Sequence, residues 1–370
     1  MCDVLLNQTV IPDYRFPLFR ELKRRQGQRL TFSCGDAGFV PALQTCNDAR
    51  ALARPVRNCF FLRRNLLWQR DFTSLALGAR LLITEFNLRA VSTWVVLARR
   101  AWLGKPSVMW GHAQGQRPGM AFLKRWMFRR TSGFIAYTNQ QRNQLASEFP
   151  GLPIWTAPNA MLWQADCYSP PRPAAAVCHV LYVGRLVPGK KPALLAEGFL
   201  KAVSQGGLPA ETRLVVVGDG PERAKIADLF AKAGLCDRLR LLGHVSEVEK
   251  LRNLYAESLV SVSPGYVGLS ATQSFAFGVP MLVADDEPHS PEIEACRAGH
   301  TCRFFSAGNA SDLAQRLAGF FSEKEFWLSR RKALSEWTQA NYSFERMAET
   351  LEAVIEYFVP LAKTDYSDLS

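Results

Sequence analysis

The sequence lacks the features that mark several large classes of protein. Its nine cysteines are odd in number, scattered and never spaced as C-x-x-C, which argues against a disulfide framework and a zinc site. We therefore expect reduced thiols and a cytoplasmic protein. No uncharged apolar run approaches the roughly 20 residues of a membrane-spanning helix. The start, MCDVLLNQTVIPDYRF, has no basic stretch followed by an apolar one, so we expect a soluble or peripheral protein.

Acidic residues are scarce in the first half of the chain. Through Gln164 there are 23 Lys and Arg against 8 Asp and Glu, a net charge of +15, whereas the remainder carries −3. This imbalance predicts contact with an anion such as nucleic acid, acidic lipid or a phosphorylated small molecule. The sequence has no ribonucleoprotein aromatic motif, zinc-finger spacing or helix-turn-helix pattern, so we expect no nucleic acid.

Two segments of this basic half alternate cations with large apolar residues. One is the run Lys124–Arg130, and the other places Arg99, Arg100 and Lys105 around Trp102-Leu103. Both patterns suit an interfacial helix on anionic lipid, although an ordinary amphipathic helix with a cationic outer face would read the same. The charge of the whole half favours lipid and predicts peripheral contact with the inner face of the cell membrane.

Short apolar runs at helix-length intervals predict buried parallel strands. Five such runs lie between Val4 and Tyr137, and five more between His179 and Ala284. The pattern is βαβα twice over, so the fold class is α/β with two doubly wound, Rossmann-like domains. We place the domains at residues 1–168 and 178–340, joined by a proline-rich linker, 169–177, and followed by a C-terminal segment, 341–370.

The apolar periodicity and the residues at the ends predict two helices. A helix over Glu222–Ala233 should stop at Gly234, because glycine is common just past a helix end. Near the C-terminus, Ser343 can cap a helix whose apolar stripe runs from Met347 to Phe358.

Two strand-to-turn junctions in the second half are rich in glycine. In Val183–Lys191, Arg185 and Lys190 can converge on a diphosphate, or they belong to a solvated basic loop. The Gly218-Asp219-Gly220-Pro221 turn needs residues that tolerate positive φ, and by itself it favours a purely structural role. Ligands of open parallel sheets bind at the carboxyl ends of the strands, where both junctions lie.

Two further junctions offer backbone groups. Leu242-Gly243-His244-Val245 leaves N–H and C=O groups at a strand end for a nucleobase edge, which alone is a weak signal. Ser263–Phe275 puts small residues at a helix start, where amides attract phosphate or where crowding against a strand requires small side chains.

In order and spacing these junctions resemble the family-4 retaining glycosyltransferases of the GT-B fold. The donor domain of that family reads G-R-L-x-x-x-K-G, then G-x-G-P, then L-G-x-V, then an E-x7-E segment ending in G-x-P. The corresponding residues here are Gly184-Arg185-Leu186 with Lys190, Gly218-Asp219-Gly220-Pro221, Leu242-Gly243-His244-Val245, and Gly278-Val279-Pro280, with Pro291-Glu292-Ile293 at the P-E-I triplet. The resemblance covers residues 178–315 closely and the whole chain loosely. It implies two domains facing across a cleft, with the C-terminal helix packed back on the first domain.

The resemblance also implies the roles of individual residues. Arg185 and Lys190 would hold the donor diphosphate, and His112, which follows a predicted strand, would lie near the donor sugar. The remaining donor-binding positions would be Gly184, Gly220, His244, Val245, Gly268, Leu269, Ser270 and Gln273. No metal or other cofactor is implied, and no D-x-D beside a strand is present.

The sequence departs from the family pattern at the sugar-binding positions. Gly265 stands at the first glutamate of E-x7-E and Gln273 at the second; the amide keeps one carbonyl acceptor for ribose, whereas glycine has no side chain. Ile11–Arg15 replaces the usual glycine-rich turn, and Pro288-His289 replaces Gly-Gly. Either Tyr14, Arg15 or His289 takes over contact with the sugar or acceptor, or catalysis is impaired.

The resemblance therefore implies transfer of a sugar, with retention, from a nucleotide-diphosphate sugar to a glycan or lipid-linked saccharide during synthesis of a surface polysaccharide or glycoconjugate. Two other functions stay open: a non-catalytic binding subunit, which would turn over nothing, and a sugar-nucleotide epimerase, which would turn over the donor without an acceptor.

Overall fold

The computed structural model describes residues 3–41, 43–113, 120–167 and 177–361. Its contacts divide the chain into two compact units, Met1–Pro158 with Phe344–Ser370, and Asn159–Ser343. The predicted boundary at residue 168 differs from this division, because residues 159–167 belong to the second unit. The last helix belongs to the first unit, as expected from the sequence. Of the predicted linker 169–177, residues 169–176 lie outside the described residues.

The first unit is built on a parallel sheet of seven strands. Its strands, with a separate hairpin, are β1 Val4–Gln8, β2 Leu30–Cys34, β3 Arg54–Pro55, β4 Arg57–Phe61, β5 Leu66–Arg70, β6 Leu81–Glu85, β7 Ser107–Gly111, β8 Gly133–Ala136 and β9 Ile154–Thr156. Its helices are α1 Phe16–Gln26, α2 Asn47–Leu52, α3 Phe72–Gly78, α4 Val91–Trp102, α5 Ala121–Phe128, α6 Asn139–Glu148 and, from the C-terminal segment, α14 Phe344–Phe358. The sheet order is β3-β2-β1-β6-β7-β8-β9, while β4 and β5 pair with each other as an antiparallel hairpin.

The second unit repeats this architecture on six parallel strands. They are β10 His179–Val183, β11 Leu214–Val217, β12 Leu239–Gly243, β13 Ser258–Ser263, β14 Met281–Ala284 and β15 Cys302–Phe305. The helices are α7 Pro192–Ser204, α8 Arg223–Lys232, α9 Val248–Ala256, α10 Ser270–Ala276, α11 Ala310–Ser322, α12 Lys324–Ser329 and α13 Arg331–Tyr342, with 3-10 turns at Pro188–Lys190 and Pro291–Ala295. The order β12-β11-β10-β13-β14-β15 means that the chain leaves β10 to one side and returns on the other. The switch point of the fold therefore lies between β10 and β13.

The ten predicted apolar runs all form strands, which confirms the predicted α/β fold class. Most of their side chains are buried on both faces of each sheet, as Val180, Leu181 and Val260 are, because helices cover both faces. The edge strand β12 is only half-buried. The central strands of the two sheets therefore carry no polar alternation, which is why the sequence could predict them from apolar runs alone.

Both predicted helices also form. The first is α8, and Gly234 follows it with φ of 68°, the left-handed value expected just past a helix end. The second is α14, which buries Met347, Leu351 and Val354 on one face and packs beside α1 in the first unit. Among the described residues no helix is both long enough and apolar enough to span a bilayer.

Candidate functional site

The loops that follow β10 and β13 meet at the switch point of the second sheet. The loop after β10 carries Arg185 and Lys190, and the loop after β13 carries Gly265, Tyr266 and Gly268. In open α/β sheets this is the edge at which ligands bind, because the diverging connections leave a crevice there. The two cations that the sequence singled out thus lie at the position that the topology favours.

Lys190 is held by the loop after β13. Its Nζ donates a hydrogen bond to the carbonyl oxygen of Tyr266 at 2.7 Å and lies 3.5 Å from the centroid of the Tyr266 ring. Burial, reinforced by the nearby positive charge of Arg185, lowers the pKa of Lys190 to about 8, while Glu292 opposes the shift. The ammonium therefore lies in a partly desolvated position where an added anion would stabilise its charge.

Arg185 reaches the same tyrosine from the solvent side. Its Nη2 donates to the Tyr266 hydroxyl at 3.4 Å, and its own carbonyl oxygen accepts a hydrogen bond from Tyr182 at 2.9 Å. Because its side chain is exposed, the guanidinium can present its planar donors to a ligand. The structure thus brings Arg185 and Lys190 together on one aromatic residue that the sequence analysis left without a role.

The turn after β11 packs directly under the loop after β10. Gly218 has φ of 134° and Gly220 has φ of 150°, and a Cβ on either would lie closer than 3.0 Å to backbone atoms of Gly184 or Leu186. The amide of Leu186 donates to the carbonyl of Asp219 at 2.9 Å, which locks the two loops together. The glycines of this turn therefore serve backbone packing, and through it they fix the loop that carries Arg185 and Lys190.

The missing glutamate at position 265 has a steric reason. A Cβ on Gly265 would lie 2.8 Å from the carbonyl carbon of Lys190 and closer still to the carbonyl oxygen of Gly189. With the loops arranged in this way, no side chain fits at position 265. The close packing of the two loops therefore accounts for the glycine that stands at position 265 in place of the family's glutamate.

The other predicted donor-binding residues lie at the same edge of the sheet. Gly268, Leu269 and Ser270 form the start of α10, and a Cβ on Gly268 would lie 3.5 Å from the Lys190 Nζ. In the loop after β12, His244 is exposed and Val245 is half-buried. Gly243, the last residue of β12, accepts a hydrogen bond from the Gly218 amide at 2.7 Å. Their predicted roles stay predictions.

Gln273 lies deeper than its predicted role suggests. Only 6% of the residue is exposed, and its Oε1 accepts a hydrogen bond from the Tyr255 hydroxyl at 3.3 Å. A ribose hydroxyl would have to share or replace that bond. The sequence showed the acceptor but not the tyrosine that engages it, because Tyr255 lies on α9 and is distant in the chain.

His289 is hydrogen-bonded to protein backbone on one edge of its ring. Nδ1 accepts from the Val267 amide at 3.0 Å, which leaves the proton on Nε2. Nε2 is buried and has no hydrogen-bond partner among the described residues, and burial lowers the pKa of His289. The imidazole thus holds the loop after β13 through the Val267 amide, and its predicted contact with sugar stays a prediction.

In the first unit, Arg15 is turned into the carboxyl edge of the sheet. Its guanidinium donates to the Tyr137 hydroxyl at 2.6 Å and to Gln8 Oε1 at 3.2 Å, and lies 5.1 Å from the Trp110 ring centroid. Tyr14 beside it is 41% exposed. These contacts engage the Arg15 guanidinium in the packing of the first unit. Tyr14 is therefore the one of the two predicted residues that is more accessible to a ligand.

His112 lies just beyond β7 and is exposed, with a pKa lowered by partial burial. A neutral imidazole at this position can donate or accept a hydrogen bond near neutral pH. Residues 114–119, which follow it closely, lie outside the described residues.

The basic segments of the first unit divide into buried and exposed parts. The expectation that Arg100 and Lys105 face lipid is wrong: Arg100 is fully buried and donates to carbonyl oxygens of Ala79 and Pro106, while the Lys105 Nζ donates to Leu77. Buried carbonyls at the end of α3 need donors, and these two cations supply them.

The second segment is likewise partly engaged inside the unit. Lys124 pairs with Glu148 at 2.7 Å, and Trp126 packs on Trp94 with ring centroids 5.0 Å apart. The large or charged side chains left exposed on α4, α5 and the residues beside them are Arg99, Trp102, Leu103, Phe122, Arg125 and Arg129, of which Trp102 is 86% and Phe122 74% exposed.

Comparisons with known proteins show a family match in the second half of the chain and a shared fold over the whole chain. Residues 178–340 match the family model described as Glycosyl transferases group 1. Among solved structures, a glycosyltransferase from Rickettsia africae superposes with a TM-score of 0.72 at 14% identity, covering 98% of this chain and 100% of the other. HepE from Anabaena in complex with UDP gives 0.70 at 13% identity, with 96% and 100% covered, and sucrose-phosphate synthase from Thermosynechococcus elongatus gives 0.66 at 17%, with 96% and 98% covered. A comparison with curated proteins found no match.

The matched segment begins just before β10 and ends within α13, so it contains every loop of the second-unit site described above. The chain thus has the GT-B fold, and its residues 178–340 are similar to the glycosyl transferases of group 1.

Proposed function

We propose that this protein transfers a sugar, with retention of anomeric configuration, from a nucleoside-diphosphate sugar to a glycan or a lipid-linked saccharide. The observation that carries the proposal is the pair Arg185 and Lys190 at the switch point of the second unit, inside the segment that matches the glycosyltransferase family model. The crystal structures of Anabaena HepE with UDP and with UDP-glucose support a uridine nucleotide as the first donor to try.

The chemistry follows from where charge develops. Cleavage of the bond between sugar and diphosphate leaves a growing negative charge on the leaving group, and Arg185 and Lys190 would stabilise it. Removing one such donor typically costs about 10² to 10³ in rate. In a front-face reaction the leaving phosphate assists the acceptor hydroxyl, so that no carboxylate base is required and Gly265 is compatible with catalysis.

We assign His112 to orientation of the donor sugar, by resemblance and by its exposed, neutral imidazole at the end of β7. His112→Ala should lower kcat at least tenfold and leave the dissociation constant of UDP unchanged, because UDP lacks the sugar. Equal loss of UDP affinity would contradict this assignment.

No metal is needed in this account, because two cationic side chains take the place that a divalent ion would have at the diphosphate. Transfer should therefore continue in excess EDTA, and loss of activity that added Mg²⁺ or Mn²⁺ restores would overturn this part of the proposal.

We further propose peripheral contact between the first unit and anionic membrane, through the exposed Trp102, Phe122 and the arginines beside them. Sedimentation with phosphatidylglycerol vesicles tests it: wild-type protein should bind at low salt, and Trp102→Ser with Phe122→Ser should weaken binding. Equal sedimentation with neutral vesicles would contradict the electrostatic part.

The donor itself can be identified by thermal stabilisation against UDP, GDP, CMP, ADP and dTDP and their sugars. A ligand at 100 times its dissociation constant adds about 2.7 kcal/mol to stability. One nucleoside diphosphate should stabilise the protein, and its sugar should be turned over with an acceptor; NMR of the product then reports the anomeric configuration.

Gly265 favours one second candidate, a non-catalytic subunit that binds nucleotide and transfers nothing, because a carboxylate that meets the sugar in the family is absent here. Stabilisation by a nucleotide sugar without transfer to any glycan or lipid-linked acceptor would support that candidate.

A further inference from the structure

Tyr266 lies between the two cations of the candidate donor site and contacts both. Its carbonyl oxygen and ring face engage the Lys190 ammonium, at 2.7 Å and 3.5 Å, and its hydroxyl accepts from Arg185 at 3.4 Å. A cation within about 6 Å of an aromatic centroid is attracted to the negative face of the ring. One residue thus holds the lysine by two independent interactions.

The backbone on either side fixes the tyrosine in this place. Gly265 has no Cβ, which allows its backbone to pack on Gly189 and Lys190 at distances that any side chain would block. A Cβ on Gly189 would lie 3.5 Å from the Tyr266 ring, in ordinary van der Waals contact. The loop after β10 and the loop after β13 therefore close on each other around Tyr266.

Charged groups of both signs lie near Lys190, and the Tyr266 ring differs from them because it attracts the ammonium without carrying a charge. Arg185 repels the ammonium, Glu292 attracts it, and the His289 imidazole, whose pKa burial lowers, is neutral near pH 7. Glu292 is itself 5% exposed and accepts a hydrogen bond from Asn159 at 2.9 Å. A carboxylate at position 266 would pair with Lys190 and compete with a diphosphate, whereas an aromatic face attracts the ammonium without neutralising it.

We propose that Tyr266 is the residue that positions Lys190 for the diphosphate of the donor, holding the ammonium by its ring and carbonyl in the place where a carboxylate would compete. The inference rests on the proposed function and adds to it a residue outside the family motif. Its side chain contacts the two binding groups and acts through them.

The test compares Tyr266→Leu and Tyr266→Phe with wild type, using UDP as the probe and isothermal titration between pH 6.5 and 9.5. Tyr266→Leu removes the ring, and cation–π energies at partly desolvated sites predict about 3- to 30-fold weaker UDP binding. Losing the ring also destabilises the ammonium, so the pH above which UDP affinity falls should move down. Tyr266→Phe keeps the ring and should stay within about twofold of wild type, because only the long hydroxyl contact is lost.

Thermal melts verify that both variants fold, and Tyr357→Leu, an exposed tyrosine of the first unit, controls for the substitution itself. A purely structural role would lower affinity without moving the pH midpoint. Tyr266→Leu with wild-type affinity and midpoint would overturn the role of Tyr266 alone. Failure of wild-type protein to bind any nucleoside diphosphate would overturn the proposed function, and this role with it.

Discussion

The pH dependence of nucleotide affinity follows directly from Lys190. Its pKa is about 8 in the ligand-free protein, well below the usual 10.5, because burial and Arg185 both disfavour the ammonium. A diphosphate binds the charged form, so binding at high pH must first return a proton to Lys190. The phosphate groups titrate near pH 6, so they contribute little above pH 7.

The magnitude can be worked out from these values. The dissociation constant should be constant below pH 8 and rise about tenfold per unit above it, until the pKa of Lys190 in the complex is reached. Between pH 7 and pH 9.5 this amounts to about 30-fold weaker binding of UDP. Affinity is therefore present in full below the pKa of the ligand-free protein and is lost as the pH rises through it.

Lys190→Arg is the matched variant for this experiment. A guanidinium keeps its charge throughout the range, so the variant should bind UDP with a nearly pH-independent constant, whatever its absolute affinity. Isothermal titration in buffers matched for ionic strength measures both proteins. A wild-type dissociation constant that stays flat from pH 7 to pH 9.5, or an equal slope in Lys190→Arg, would refute the reasoning.

Two further predictions concern stability. Gly220→Ala places a Cβ 2.5 Å from the Leu186 carbonyl oxygen and should destabilise the second unit by several kcal/mol. Gly234 also has positive φ but has open space around it, so Gly234→Ala should cost only about 1–2 kcal/mol. Melting temperatures of the two variants test the packing argument, which equal shifts would contradict. Leu351→Ala in α14 removes a fully buried side chain and should cost about 2–5 kcal/mol in urea unfolding of the first unit, while the exposed Lys225→Ala should be neutral.

Much of the fold could be predicted because the central strands are buried on both faces. The apolar composition of runs such as Leu214–Val217 and Leu81–Glu85 is enough to predict a buried strand. The β4–β5 hairpin was missed because its turn, residues 62–65, contains no glycine, although Leu62, Arg63 and Arg64 all adopt positive φ. Arg89 donates to the carbonyl oxygens of Arg64 and Asn65 in that turn, and Arg64 donates to the carbonyl oxygen of Phe39. These contacts join distant parts of the chain, so no local pattern reveals them.

The candidate site was predictable only where local spacing carried it. Arg185, Lys190 and the Gly218–Gly220 turn each follow a strand, so topology alone brings them to one edge. Tyr266 was missed because its importance arises from contact with a loop some 80 residues earlier. The burial of Arg100 was missed because its guanidinium donates to carbonyl groups of separate segments and to the Ser107 hydroxyl. Side-chain destinations of this kind depend on tertiary packing and leave no periodic signal.

The most direct test of the central claim is sugar transfer by variants of the two cations. The assay uses the nucleotide sugar that stabilises the wild-type protein, with a label in the sugar. Arg185→Ala and Lys190→Ala should each lower kcat/KM by about 10² to 10³ and keep the wild-type melting temperature. The control variant Lys225→Ala should match wild type in both measurements. Near-wild-type turnover in both Arg185→Ala and Lys190→Ala would contradict the assignment of the donor site to the switch point of the second unit.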